Sequence, residues 1–242
     1  LGWEGIISEG LQQRFFLHLL GFRWERRCAS YLTAVQTMKS VILPVQQLSP
    51  SQLSRFLEQV LSFVVDTQTM TADVILDILT DVEVIKLDHN TQPLFVEVIF
   101  RAVCASCGAD DESVDVGNIV ETTLKQGICE LPNAVQQQLA ITFIGIADTS
   151  DERVVTLGAL QLLQRHSPAM VPIDKVMPIA LRRTLDPTFP SLQQVGLHFI
   201  LDLIKSGAED DYHADAARCF VDAMSAEWQS RGITPVVSDE PP

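Results

Sequence analysis

The chemistry-bearing residues come first. Cys104 and Cys107 make a C-x-x-C spacing, which on a helix sets two thiols one turn apart on one face. A structural zinc site needs a second pair at ligand spacing, and only Cys129 follows closely. A dithiol redox motif needs a βαβ setting that this sequence lacks. The pair therefore reads as buried structural thiols. Asp73, Asp77 and Asp81 recur every four residues, so three carboxylates share a helix face. Magnesium-diphosphate chemistry in all-α enzymes uses such helices, but with a second facing cluster and basic residues for the diphosphate, neither evident here. The stripe reads as a solvated acidic face, with metal-dependent catalysis on it as an alternative. Asp210, Asp211, His213 and Asp215 gather at a helix start, where acids complement the macrodipole, although the set also suits a divalent cation. His18, His89, His166 and His198 are scattered without a nucleophile or an orienting acid. A glycine-rich phosphate loop and an H-E-x-x-H are both missing. The expectation is a protein without catalytic residues, cofactor or metal ligands.

Binding chemistry concentrates near the start of the sequence. Trp3, Phe15, Phe16, Phe22, Trp24 and Tyr31 are six of the sixteen aromatics, and Arg14, Arg23, Arg26 and Arg27 are interleaved with them. Aromatic and Arg side chains dominate protein-interface energetics, so these ten residues are the candidate partner-docking set. The plain alternative is that they pack the core of the first helices. Peripheral membrane contact through residues 1–24 and stacking on single-stranded nucleic acid are the other readings.

Charge narrows the partners. Seventeen Lys and Arg stand against 31 Asp and Glu, a formal charge of −14, with 47% hydrophobic residues. That hydrophobicity excludes a disordered chain, and the acidity excludes generic DNA coating. Protein partners with basic surfaces are expected, and nucleic acid is not. Residues 1–40 alone are basic, five bases against three acids. No apolar run approaches the roughly 18 residues a membrane-spanning helix needs. Five cysteines at irregular spacing suggest reduced thiols in an intracellular compartment. The start at Leu1, with no secretory signal, is expected to mark a fragment or a processed form, of the mitochondrial matrix or the cytoplasm.

Helices must position all of these residues. Apolar side chains recur with the 3.6-residue period almost throughout, and two-residue alternation is nearly absent. The spacing predicts helices over 4–22 and 24–43, one entered through Ser49-Pro50-Ser51, one opening near Thr71, and one from Thr91 to Cys107. Further helices are predicted over 114–127, 133–147, 151–166, 173–185, 189–206 and 211–230. Residues 1–231 read as a single α-helical domain and residues 232–242, with three prolines and two acids, as a tail.

An internal repeat appears at an offset of 38 residues. Val135, Leu139, Ile141, Phe143 and Ala147 align with Ile173, Met177, Ile179, Leu181 and Leu185, and Asp148 with Asp186. Val154, Leu157, Gly158, Leu162 and Leu163 align with Leu192, Val195, Gly196, Ile200 and Leu201. Two helices joined by a short Asp-bearing turn resemble the HEAT/armadillo type of helical repeat over residues 133–205. Pro178, opposite Ala140, departs from the pattern. The resemblance implies stacked antiparallel helix pairs, an α-solenoid of about 11 helices in which neighbours supply one another's core. The expected function is a non-catalytic scaffold or accessory subunit of a multiprotein assembly, with an organellar RNA-associated repeat protein as the alternative.

Overall fold

The computed structural model describes residues 50–66, 69–79, 82–107, 114–125, 127–166, 173–186 and 210–232, with helical positions also at Gln193, Leu197, Ile200, Leu201, Ile204 and Lys205. Among the described residues the chain is all-α, without a strand. The bounded helices are α1 (Pro50–Asp66), α2 (Thr69–Leu79), α3 (Thr91–Cys107), α4 (Val116–Leu124), α5 (Asn133–Thr149), α6 (Arg153–His166), α7 (Ile173–Thr184) and α8 (Asp210–Ser230). Single 3₁₀ turns at Val84–Lys86 and Ile128–Glu130 lead into α3 and α5. The fold divides into two compact units, residues 1–139 and 140–242, with the boundary inside α5. The helices predicted over 4–22 and 24–43, and the tail beyond Gly232, lie outside the described residues.

In the first unit α3 is the centre, packed against α1, α2 and α4. Pro50 begins α1, where its missing N–H would have had no intrahelical partner anyway. Leu53, Phe56, Leu57 and Val60 then follow at helical spacing, all buried. α3 is buried almost all round, with Phe95, Val96, Val98, Ile99, Phe100, Ala102 and Val103 in the core. Each of its buried Val, Ile and Phe side chains contributes about 1.5–3 kcal/mol of hydrophobic stabilisation. The start of α1 lies against the start of α3, where the Ser54 and Thr91 hydroxyls meet at 2.9 Å. α2 runs the other way: Asp73, near its start, accepts a hydrogen bond from Ser106, near the end of α3.

A second repeat, absent from the periodicity analysis, emerges in the backbone. The turn and helix entry from Val84 recur 44 residues on, from Ile128. Leu87 N–H donates to Val84 at 3.1 Å as Leu131 does to Ile128, and Gln92 N–H to Asp88 at 3.0 Å as Gln136 does to Pro132. Each turn ends in a leucine whose carbonyl is held by the buried glutamine five residues later, Gln92 to Leu87 at 3.0 Å and Gln136 to Leu131 at 2.6 Å. The buried amide thus satisfies a loop carbonyl that the helix cannot reach.

In the second unit α6 is buried on nearly every side and α7 buries Ile173, Val176, Met177, Ala180 and Leu181. Arg183, at the end of α7, is the main polar organiser. Its guanidinium donates to the carbonyls of Ala147 at 2.9 Å, Asp148 at 2.6 Å and Ser150 at 2.9 Å, which closes the C-terminal end of α5 and the following turn. A cation there also complements the helix macrodipole. The aligned Asp148 and Asp186 each face an arginine of α7, Arg182 and Arg183 respectively. Pro178 sits inside α7, exposed, without ending the helix. The 38-residue alignment holds for burial at Val135 and Ile173, Leu139 and Met177, and Phe143 and Leu181. It fails at Ile141, 71% exposed where Ile179 is buried, and at Leu201, exposed where Leu163 is buried.

Candidate docking surface

The ten residues of the candidate docking set, Trp3, Arg14, Phe15, Phe16, Phe22, Arg23, Trp24, Arg26, Arg27 and Tyr31, lie outside the described residues. The remaining chemistry-bearing residues are partly placed. Cys104 is buried and Cys107 half-buried, both as thiols on α3. The acidic stripe is not simply solvated. Asp73 is half-buried and takes the Ser106 hydroxyl, whereas Asp77 is exposed and Asp81 lies outside the described set. Packing of α2 on α3 is the physical reason, because it turns the first carboxylate of the stripe toward a neighbouring helix. At the start of α8, Asp215 pairs with Arg218 at 2.9 Å, and the side chains of Asp210, Asp211 and His213 lie outside the described set. Among the described residues no group of three His, Cys, Asp or Glu side chains could hold a metal ion, and no helix is long and apolar enough to cross a membrane.

The surface that stands out is on α8. Its sequence places apolar residues on two faces rather than one. The first carries Ala216 and Ala223, both buried, with Cys219, Phe220 and Glu227 half-buried beside them, and α8 packs on α7. Small residues there let the two backbones approach. The second runs through Ala214, Ala217, Val221, Met224 and Trp228, spaced alternately three and four residues apart, the a and d spacing of a coiled-coil seam. At 100° per residue this seam is about 120° around the helix from the buried face. Ala214 and Ala217 are exposed, Val221 is 58% and Trp228 36% exposed, and Met224 is half-buried. On the preceding helical positions, Leu197 and Leu201 are 53% and 47% exposed, also one turn apart.

The third face of α8 is charged. Asp215, Arg218, Asp222 and Gln229 are exposed along it, and Asp211 has the same register. Arg218 is engaged by Asp215 and Arg231 by Glu227 at 2.7 Å, whereas Asp222 has no ion pair among the described residues. This third face is therefore net negative, and Arg218 is its residue nearest the seam.

α8 is tied to α7 at its C-terminal end and lies beside it at its middle. Arg231 donates to the Leu185 carbonyl at 3.2 Å, beyond the end of α7, while Cys219 lies within the field of Asp174, at the start of α7. The two helices thus run in the same direction. Burial, then Asp174, Asp215 and Asp222, push the Cys219 thiol up, with Arg218 opposing. This favours the protonated thiol over the thiolate. A polar counterpart exists on α3, where burial pushes Glu97 above the usual carboxylate range and Arg101, 3.9 Å away, pulls it back. Periodicity analysis missed the α8 seam because both apolar faces satisfy the same helical pattern. Its signal was the heptad spacing from Ala214 to Trp228. No family model, no curated protein and no solved structure matches the chain.

Proposed function

We propose that this chain is a non-catalytic scaffold or accessory subunit of a multiprotein assembly, binding its partners through a helical-repeat surface. The observation that carries the reading is the set of large apolar side chains left exposed on two helical segments of the second unit, Leu197 and Leu201 on one and Val221 and Trp228 on the other. Large apolar side chains left exposed a turn or so apart on a helix are a surface that a partner would cover. The buried polar side chains support the same reading, since Gln92, Gln136 and Arg183 are each spent on backbone carbonyls of turns. They hold the frame rather than point a reactive group into a cleft.

The helix order supports a HEAT/armadillo-like stack of helix pairs. α1 and α3 start together with α2 reversed, and α7 and α8 run side by side with a further helical stretch between them in sequence. Such a stack presents one extended face, and the aromatic and Arg residues between Trp3 and Tyr31 supply a second contact. No cofactor is needed, and the acidity favours partners with basic surfaces.

Native purification from cells at low salt and at about 0.5 M salt tests the reading, because added salt screens exposed charges but spares apolar burial. A stoichiometric set of proteins retained at high salt is the expected result. Nucleic acid that travels with the chain at low salt and is lost at high salt would replace this reading with an RNA-associated one.

A further inference from the structure

We propose that Cys104 and Cys107 are a reversible oxidation site, closed into an intrahelical disulfide by a small disulfide of the glutathione class. The inference is independent of the scaffold reading. Both residues are thiols in the last turn of α3, which ends at Cys107. Three residues apart in a helix, their Cα atoms stand about 5 Å from each other, inside the range a disulfide accepts. The Cβ atoms, at about 5–6 Å, must approach by about 1–2 Å. In mid-helix that approach would distort turns on both sides. At Cys107 no further turn of α3 follows, and the next residue in sequence is Gly108, the type with the most permissive backbone.

Burial sets the order of events. Cys107 is half-buried and Cys104 is 3% exposed, so the oxidant meets Cys107 first. The Cys107 sulfur, its proton lost to water, attacks glutathione disulfide; the S–S bond breaks, a mixed disulfide forms and one glutathione thiolate leaves. Cys104, its own proton lost, then attacks the Cys107 sulfur and expels the second glutathione. The pair has given up two electrons and two protons, and one glutathione disulfide has become two glutathiones. Cys104 needs contact only with Cys107 for this step. The C-terminal end of a helix lacks the positive dipole that activates oxidoreductase thiols, so the pair takes up oxidation rather than catalysing exchange in other proteins. Ser106, between the two thiols in sequence, gives its hydroxyl to Asp73 of α2. Drawing Cys107 toward Cys104 turns Ser106 with it, and the hold of α3 on the start of α2 loosens.

The test equilibrates the full chain in glutathione buffers of rising oxidised fraction, blocks remaining thiols with iodoacetamide and digests with trypsin. Cleavage after Arg101 and Lys125 leaves Cys104 and Cys107 together in one peptide that holds no other cysteine. The expected product is that peptide two hydrogens lighter, with neither glutathione nor alkyl groups, and restored to the dithiol by dithiothreitol. Cys104→Ser is expected to stop the reaction at a glutathione adduct on Cys107. Cys107→Ser is expected to slow adduct formation at residue 104 by at least about tenfold relative to Cys107 in the first variant, since a buried thiol reacts only through local opening. Circular dichroism checks that both variants keep their helicity. A wild-type chain that halts at the Cys107 adduct overturns the proposal. So does a disulfide from either residue to Cys28, Cys129 or Cys219, or a pair that stays reduced in fully oxidised glutathione. Hydrogen exchange reads the consequence: the oxidised chain is expected to exchange faster over Thr69–Leu79, with Asn133–Thr149 unchanged. Equal exchange of Thr69–Leu79 in the two forms would refute the link through Ser106.

Discussion

Replacing Arg183 by Met tests the architecture of the second unit at its polar centre. The side chain is 10% exposed and gives three hydrogen bonds to carbonyls at the end of α5. Hydrogen bonds from a charged donor contribute about 1.5–3 kcal/mol each, and part of that offsets the cost of burying the guanidinium. Methionine fills similar volume but leaves the Ala147 and Asp148 carbonyls without this donor. The Ser150 carbonyl keeps the Thr156 hydroxyl at 3.2 Å. Two stranded carbonyls at about 1–3 kcal/mol each place the loss near 3 kcal/mol. For a unit of about 100 residues that lowers the melting temperature by more than about 10 °C. Arg183→Lys keeps the charge but cannot fork to three acceptors, so about half the loss is expected. Urea unfolding by circular dichroism gives the magnitude, and hydrogen exchange gives the place. Faster exchange is expected within residues 140–232, with residues 50–107 unchanged. A loss under about 0.5 kcal/mol would refute the role assigned to this arginine.

Pro178→Ala is expected to raise stability by about 1–3 kcal/mol, since the proline breaks the α7 hydrogen-bond ladder and its ring is exposed; a lower melting temperature would count against this. Asp88 takes the N–H groups of Asn90 and Thr91 and the Thr91 hydroxyl, which lowers its pKa. Asp88→Ala is therefore expected to cost about 1 kcal/mol at neutral pH. That contribution is fully present above the ordinary carboxylate range and vanishes as pH falls through the lowered pKa, because the unfolded chain binds the proton first. Glu97 has the opposite sign. Burial raises its pKa, so the folded state takes the proton first and this group favours unfolding above that raised value. Glu97→Gln is expected to lose nothing at neutral pH, as urea midpoints at pH 4 and pH 7 would show. Gln136→Leu is expected to cost about 1–3 kcal/mol by stranding the Leu131 and Cys129 carbonyls, a loss that thermal melting would register.

Helix positions were legible wherever a local signal and the core agreed. Thr91–Cys107 matches its predicted span because the apolar positions of α3 are dense and its entry is set by local capping. Pro50 likewise fixed the start of α1. Arg183 was illegible because a base in the last turn of a helix is ordinarily a solvated partner of the macrodipole. Nothing in the spacing says that the carbonyls of residues 147–150 await it. The 44-residue repeat hid for another reason: Asp88 and Pro132 play one backbone role with unrelated side chains, so only Leu and Gln recur at matching positions. On α8 the heptad from Ala214 to Trp228 and the run from Ala216 to Ala223 are both apolar, and only packing on α7 decides which is covered.

The central claim is that partners cover the apolar helical surface of the second unit. Hydrogen exchange of the chain in its native, salt-resistant complex, compared with the isolated chain, tests that directly. The account predicts protection concentrated on residues 214–228 and 197–201. Equal exchange of both segments in the two states would contradict it.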